Sequence, residues 1–415
     1  MRAIASRRGG PHIVRPVRRL RPEIRFLPLL PLVCLLLARH SLQAVSALAA
    51  FVGPGARYLL ANRRECGEPE NHYDMKSHIR YLLFALLGLG GCRTAPDAGE
   101  VCVRLLFTGD VMQHLPQVRA AQCDGGFDYS ECFAAVGPHF RAADLTVVNL
   151  ETTLTRSGNH TGYPMFRSPA ALADALATAG VDVATLANNH CCDGGAVGIR
   201  TTIGELDRCG IRHTGVFVDS LDRAAHHPLR AECRGVRFAF LSYTYGTNGL
   251  AVPGGTRVNP IDTLAIARDL LAARADSTDC VVVAMHWGNE YERQPNPAQR
   301  GLADFLRRHG ADLIIGHHPH VIQPFEADTT HVVLYSLGNF VSNQRRRYCD
   351  GGIMARIDAT RHPDGRMTYR LRTVPVWVAL PGYRILPPEV ADTLALPEAY
   401  RQFRDDTRAL LETGL

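Results

Sequence analysis

The stretch Asp312-Leu313-Ile314-Ile315-Gly316-His317-His318-Pro319-His320 sets an apolar run directly against three imidazoles. A short apolar run bounded by turn residues reads as a buried strand. In α/β sheets the carboxyl edge of the strands is where sites form. Proline fixes the spacing of His318 and His320, so this pair is read as a ligand set. His317 is read as the bland neighbour, its side chain expected to point away.

The same arrangement recurs on both sides. Segment 101–107 reads as a strand ending in Thr108-Gly109-Asp110, and 144–150 as one ending in Asn149-Leu150-Glu151. Segments 181–186, 280–285 and 331–335 run into Asn188-Asn189-His190, His286-Trp287-Gly288 and Ser336-Leu337-Gly338-Asn339-Phe340. Between them lie helical patterns at 170–179, 197–209, 261–275 and 297–309, three of them stopped at Gly180, Gly210 and Gly310. Alternating strands and helices predict an α/β sandwich. Residues 346–415 predict strands at 352–359 and 367–379 and a helix at 388–413, which extend the sheet or cover its edge.

Each cluster also has a purely structural reading. Asp110 and Glu151 suit helix N-termini, Asn188 and Asn189 suit left-handed turns, and a lone His286 suits a core. Taken together they offer two carboxylates, an amide oxygen and several imidazoles. Hard oxygen and borderline nitrogen donors suit Mn, Fe or Zn. His213, His226, His227, His309 and His362 have no such context and are read as surface residues.

Thr-Gly-Asp-Val-Met (108–112), Asn-Leu-Glu (149–151), Asn-Asn-His (188–190) with Asp193-Gly194, His-Trp-Gly-Asn-Glu-Tyr (286–291), Gly-His-His-Pro-His-Val-Ile-Gln (316–323) and Ser-Leu-Gly-Asn-Phe (336–340) follow one another in order. The ordered set, with Tyr-Thr-Tyr-Gly-Thr-Asn-Gly (243–249) between, resembles the bacterial capsule synthesis CapA family. That family is associated with poly-γ-glutamate and belongs to the calcineurin-like metallophosphatase superfamily. The resemblance implies a four-layer αββα metallophosphoesterase sandwich over 101–345, completed by 346–415, and two divalent metal ions. It implies Asp110 and His320 on the first metal, Glu151 bridging, and Asn189, His286 and His318 on the second. His190 becomes the proton donor, Asp193 its orienting carboxylate, and Glu290 an acid/base or substrate contact. Asn149 and Asn339 are placed at the substrate, Asn339 also shaping the loop beneath.

Two departures stand out. The superfamily's first motif has Asp-x-His, whereas Met112 stands at the third position here and His114 lies two residues on. A Glu replaces the usual bridging Asp. Both departures count against ordinary phosphomonoesterase activity. Two rival functions stand beside the capsule reading: a general envelope phosphoesterase or nucleotidase, and a non-catalytic polymer-binding scaffold, which Met112 in place of His favours.

The formal charge of +6 does not predict a nucleic-acid surface. Residues 1–74 hold 12 arginines against 5 acidic residues, a surplus larger than the whole net charge, so the remainder is near neutral. Met75 opens a second reading: Lys76, His78 and Arg80, an apolar run 81–89, then Leu89-Gly90-Gly91-Cys92. This has the order of a secretory signal and resembles a bacterial lipoprotein signal with Cys92 as the lipidated residue. The expectation is therefore an exported protein, anchored in the cell envelope through lipid. It would start at Met75, with 1–74 a non-native or disordered extension. Its partners would be an anionic polymer or phosphoester and membrane-embedded capsule proteins, with no nucleic acid. Export also permits a Cys123–Cys132 bridge. Cys102 and Cys280 are read as small core residues.

Overall fold

Apolar residues of two alternating phases build two sheets, and the phase of each strand decides what it faces. The computed structural model describes residues 99–275 and 277–413; the segments 1–74 and 75–92, with Cys92, lie outside the described residues. The first sheet contains β1 (Val101–Val111), β2 (Leu145–Leu150), β3 (Val183–Thr185) and β4 (Arg212–Thr214). The second is built from β5 (Leu229–Cys233), β6 (Val236–Thr244), β7 (Cys280–His286), β8 (Leu313–His317), β9 (Phe325–Ala327) and β10 (Val332–Leu334). The chain then returns to the first sheet with β11 (Asn339–Val341), β12 (Gly351–Arg361), β13 (Met367–Ala379) and β14 (Arg384–Leu386). Its order is β14-β13-β12-β1-β2-β3-β4, with β11 also on β1; the second sheet runs β5-β6-β7-β8-β10-β9.

Three apolar layers hold these sheets between helices. Val103, Leu105 and Phe107 of β1 meet Phe238, Phe240, Val282, Leu313 and Ile315 in a core between the sheets. Leu106, Val148 and Leu150, of opposite phase, meet α1 (Ala171–Ala179) through Leu172 and Leu176 and α2 (Gly195–Arg208) through Ile199, Ile203 and Leu206. Val281, Val283 and Ile314 meet α3 (Thr263–Ala275) through Ile266 and Leu270 and α4 (Pro297–Arg308) through Ala303 and Leu306. The layers are therefore α, β, β, α, each core sealed by period-2 strands and period-3.6 helices. Burying one such Leu or Phe contributes about 1.5–3 kcal/mol.

β1 changes partner along its length. Residues Val101 to Thr108 pair antiparallel with β12, whereas Asp110 and Val111 pair parallel with β11. On the other edge, the register with β2 slips between Phe107 and Asp110. The slip changes the phase by one residue. Phe107 faces the inter-sheet core, Val111 faces the helices, and Asp110 is thereby delivered to the inter-sheet side. β1 and β8 also come close to their neighbours through glycine: a Cβ on Gly109 would sit 2.0 Å from the Gly338 carbonyl oxygen, and one on Gly316 2.0 Å from that of Tyr335.

Several expectations change here. The helix expected over 388–413 is broken: a short helix Pro388–Ala391 precedes α5 (Glu398–Thr413), because Pro397 supplies no N–H and disfavours helix before it. No Cys123–Cys132 bridge exists. Cys123 is exposed and Cys132 is buried, its thiol 3.1 Å from the Tyr383 carbonyl. Cys280 is core, but Cys102 is only partly covered. Of the histidines read as surface, His213 is buried and the His227 side chain is 1% exposed. His227 Nε2 lies 3.0 Å from Asp269, which also takes bonds from Tyr243 and Arg223. No described helix is long and apolar enough to cross a membrane.

Gly316→Ala is expected to cost at least about 3 kcal/mol, the upper range of overpacking, in urea unfolding. A loss below about 1 kcal/mol would contradict the close approach of β8 to Tyr335.

Candidate metal centre

The polar residues converge where β1, β2, β7 and β8 end. Asp110 has neighbours in register on both sides, Asn149 on β2 and Asn339 on β11. Asn149 Nδ2 donates to Asp110 Oδ1 at 2.9 Å and reaches Glu151 Oε2 at 3.4 Å, so one amide holds both carboxyl groups. Its own Oδ1 accepts from Asn188 Nδ2, which also donates to the Leu150 carbonyl. Neither Asp110 nor Glu151 caps a helix. The next helix is capped by His114 and Gln117. Asn188 and Asn189 are not left-handed.

From the second sheet come the imidazoles. His286 and His317 are paired in register on β7 and β8. His317 was expected to point away, and it does not. Leu313 and Ile315 face the inter-sheet core, and strict alternation puts His317 on the same face, its Nδ1 3.2 Å from Asp110 Oδ1. His318 reaches the site by another route: with φ 100 it leaves the strand geometry, and His320 follows with φ 57. His320 Nδ1 lies 3.1 Å from Asp110 Oδ2. His286 Nε2 lies 2.9 Å from Asn189 Oδ1 and 3.7 Å from Glu151 Oε1. Two groups of donor atoms result, each within 4.8 Å: Asp110, Glu151 and His286, all buried, and Glu290, His318 and His320, with Glu290 exposed.

The donor set fits divalent cations. Glu151 Oε1, His286 Nδ1 and His318 Nδ1 are buried and have no hydrogen-bond partner among the described residues, a costly condition unless something else binds there. Beside the groups, His190 Nδ1 lies 2.7 Å from Asp193 Oδ2, which also accepts from the Phe166 backbone N–H at 2.6 Å. The Phe166 ring meets the His190 ring edge-on at 4.5 Å. Tyr245 leans on His318 at 4.6 Å.

Residues 104–344 match the family model described as bacterial capsule synthesis protein PGA_cap, more than half of the chain. The chain belongs to that family. The PGA biosynthesis protein CapA of Bacillus subtilis is 32% identical over 270 residues, covering 63% of this chain and 70% of that protein. The capsule biosynthesis protein CapA of Bacillus anthracis is 36% identical over 175 residues, 41% of this chain and 42% of that one. Among solved structures, the calcineurin-like phosphoesterase YfkN of Bacillus subtilis aligns at TM-score 0.41 and 14% identity, over 76% of this chain and 99% of that chain.

Within the PGA_cap domain His320 Nδ1 stands beside Asp110 and Asn189 Oδ1 beside His286, and the donor atoms also gather in two groups. His320 is gathered with His318 and Glu290, whereas His286 is gathered with Asp110 and Glu151. Glu290, read as an acid/base or substrate contact, stands among the possible ligands. His114 does not replace the ligand missing at Met112. Its Nδ1 is 3.2 Å from Gln117 Oε1, and it is in neither group. Asn149 and Asn339 have their amides turned inward, Asn339 donating to Gln344 Oε1 and the Cys349 carbonyl.

Burial shapes the charge of this centre. Glu151 is pushed well above the usual carboxylate range by burial and then by the Asp110 charge. Burial also acts against Asp110, but His317 and His320 beside it outweigh that and hold its carboxyl well below the usual range. Burial, then the neighbouring His318, holds His286 well below the imidazole range, and burial, then His320, lowers His318 to about 3. Neutral imidazoles are the form that binds metal.

The sign of the pH dependence follows. The lowered imidazoles give stability that is complete above about pH 6.5 and lost as pH falls. Raised Glu151 gives stability that is complete below about pH 4.5 and lost as pH rises. Between these values His286, His318 and His114, itself lowered to about 4 by burial, outnumber the one carboxyl. Chelator-treated protein is therefore expected to lose about 1–3 kcal/mol between pH 6.5 and 5.5, read from urea midpoints. An unchanged or higher midpoint at pH 5.5 would contradict this charge assignment.

Proposed function

We propose that this chain is an envelope-anchored, metal-dependent hydrolase of capsule assembly, acting on an anionic polymer of the poly-γ-glutamate type. The observation that carries the reading is the pair of donor groups, Asp110–Glu151–His286 and Glu290–His318–His320, set against the oriented His190. Membership of the PGA_cap family and the capsule-biosynthesis names of the two relatives supply the substrate class.

Bound divalent ions supply Lewis-acid polarisation of the scissile amide or phosphoester group and make water more acidic. Asp110, Glu151 and His286 would hold one ion, and His318, His320 and Glu290 a second, with Asn189 Oδ1 beside His286. Asn149 keeps the two buried carboxyl groups at fixed separation. Asp193 takes the Nδ1 side of His190, so Nε2 is the nitrogen left to give a proton to the departing atom. Phe166 fixes Asp193 through its N–H and His190 through its ring. Anchoring through lipid on Cys92, a start at Met75, and membrane-embedded partners belong to the same proposal. Mass spectrometry of the mature N-terminus checks the anchor, and a product beginning at Met1 sinks it.

The second reading is a polymer-binding scaffold without turnover. Met112 favours it, being buried where the superfamily motif has a histidine. Elemental analysis separates the two. About one or two Mn, Fe or Zn per chain, lost in Glu151→Ala and in His318→Ala, supports the hydrolase. A folded protein that never takes up metal supports the scaffold. With γ-linked oligoglutamate or a chromogenic phosphoester as substrate, Asp193→Asn is expected to lower kcat by about 10²-fold with metal content unchanged. An unchanged kcat would remove His190 and Asp193 from the mechanism.

A further inference from the structure

The loop between β11 and β12 carries Arg345-Arg346-Arg347-Tyr348 in a chain whose remainder outside 1–74 is near neutral. It is rooted beside the metal centre. Asn339, in register with Asp110, donates to Gln344 Oε1 at 3.0 Å and to the Cys349 carbonyl at 2.8 Å, and the Cys349 N–H closes on the Arg346 carbonyl at 3.0 Å. Its three arginines are used differently. Arg345 donates to the carbonyls of Val378 and Ser342, so it holds the loop down. Arg347 makes two bonds to the Asp406 carboxylate, at 2.9 and 3.0 Å. Arg346 is exposed, and among the described residues no ion pair joins it to a carboxylate.

What positions Arg346 is an aromatic ring. Its guanidinium carbon lies 4.0 Å from the centroid of Tyr291, within the range of a cation–π contact. Tyr291 is in turn tied to the centre. It follows Glu290, its N–H donates to the Pro319 carbonyl at 2.8 Å, and its ring meets that of His320 at 6.2 Å. Gln344 reaches its hydroxyl at 3.4 Å. Tyr291 adopts φ 68, an unfavourable conformation for an aromatic residue, so this placement is held by its surroundings and not by local preference. One ring thus separates the Arg346 guanidinium from the Glu290–His318–His320 group.

A guanidinium over an aromatic ring keeps N–H groups for a planar acceptor, and bidentate pairing with carboxylates is what arginine does better than lysine. We propose that Arg346 is a specificity-determining residue that receives a carboxylate of a γ-linked glutamate chain while a neighbouring linkage lies at the metal centre. This rests on the polymer reading given above. It assigns the contact to Arg346 and not to the charge of the loop as a whole.

The test uses the full chain, loaded with metal, and a fluorescein-labelled γ-linked glutamate decamer, followed by anisotropy at low and high salt. Arg346→Ala is expected to raise Kd by about fivefold at low salt, the upper range for an exposed charge pair, with the difference shrinking at high salt. Arg346→Lys is expected to fall between wild type and Arg346→Ala. Arg347→Ala, which removes a charge already paired with Asp406, is expected to leave Kd within about twofold. Equal Kd for wild type and Arg346→Ala overturns the assignment and leaves the polymer reading standing. Equal losses in Arg346→Ala and Arg347→Ala overturn it in favour of general charge. Loss of metal in Arg346→Ala, by elemental analysis, overturns it by placing the effect in the centre itself. No decamer binding by the wild-type protein refutes the polymer reading, and the assignment with it.

Discussion

Asp110 and Glu151 are two carboxyl groups without solvent, joined through a single Asn149 amide. Two like charges so placed cannot both ionise cheaply. Here burial and the Asp110 charge push the Glu151 carboxyl well above the usual range, while His317 and His320 favour the Asp110 carboxylate. The same burial holds His286 and His318 below the usual imidazole range. A cation entering this site would meet donors already turned toward it and would relieve the strain of two buried acids. The centre is thus poorly satisfied alone and well composed for a divalent ion, which is the usual condition of a metal site prepared by its fold.

That condition requires both sheets. The acids and amides come from the first sheet, and the histidines His286, His317, His318 and His320 from the second. The inter-sheet core of Phe107, Phe240, Val282 and Ile315 fixes their separation. The glycines at 109 and 316 allow β1 and β8 to approach neighbouring carbonyls more closely than any side chain would permit. The loop after β7 is fixed from below: α4 begins with a mutual cap between Asn296 and Gln299, and Gln299 bonds Gln323, which bonds the Glu292 carbonyl. Glu290 and Tyr291 stand on that fixed loop, which is why an exposed carboxylate and an arginine-bearing ring can share one geometry.

The layers and most strands were legible because strong apolar periods recur through 101–345 and glycines follow three of the helices. The ordered motifs contain the donors that the fold brings near one another. Their distances from one another were not legible. His317 was misplaced although Leu313 and Ile315 carry the phase that turns it inward; counting back along the strand would have found it. His213 and His227 were misplaced because their burial comes from distant segments, such as the α3 residue Asp269 beneath His227. The Cys123–Cys132 pairing failed because spacing in sequence says nothing about the direction of two side chains.

The sequence by itself determined the kinds of donor, their order, and their position after strand ends, because hydrophobic period and turn residues are local properties. It also determined that the basic charge belongs to the first 74 residues and not to the domain. Only the tertiary structure decided which face Asp110 occupies, since a one-residue register slip between β1 and β2 reverses every later side chain. Only it placed His286 with the two acids, Glu290 with the His318–His320 pair, and Arg346 over Tyr291. These are contacts between segments far apart in the chain, and their geometry is set by how two sheets pack, which no local pattern encodes.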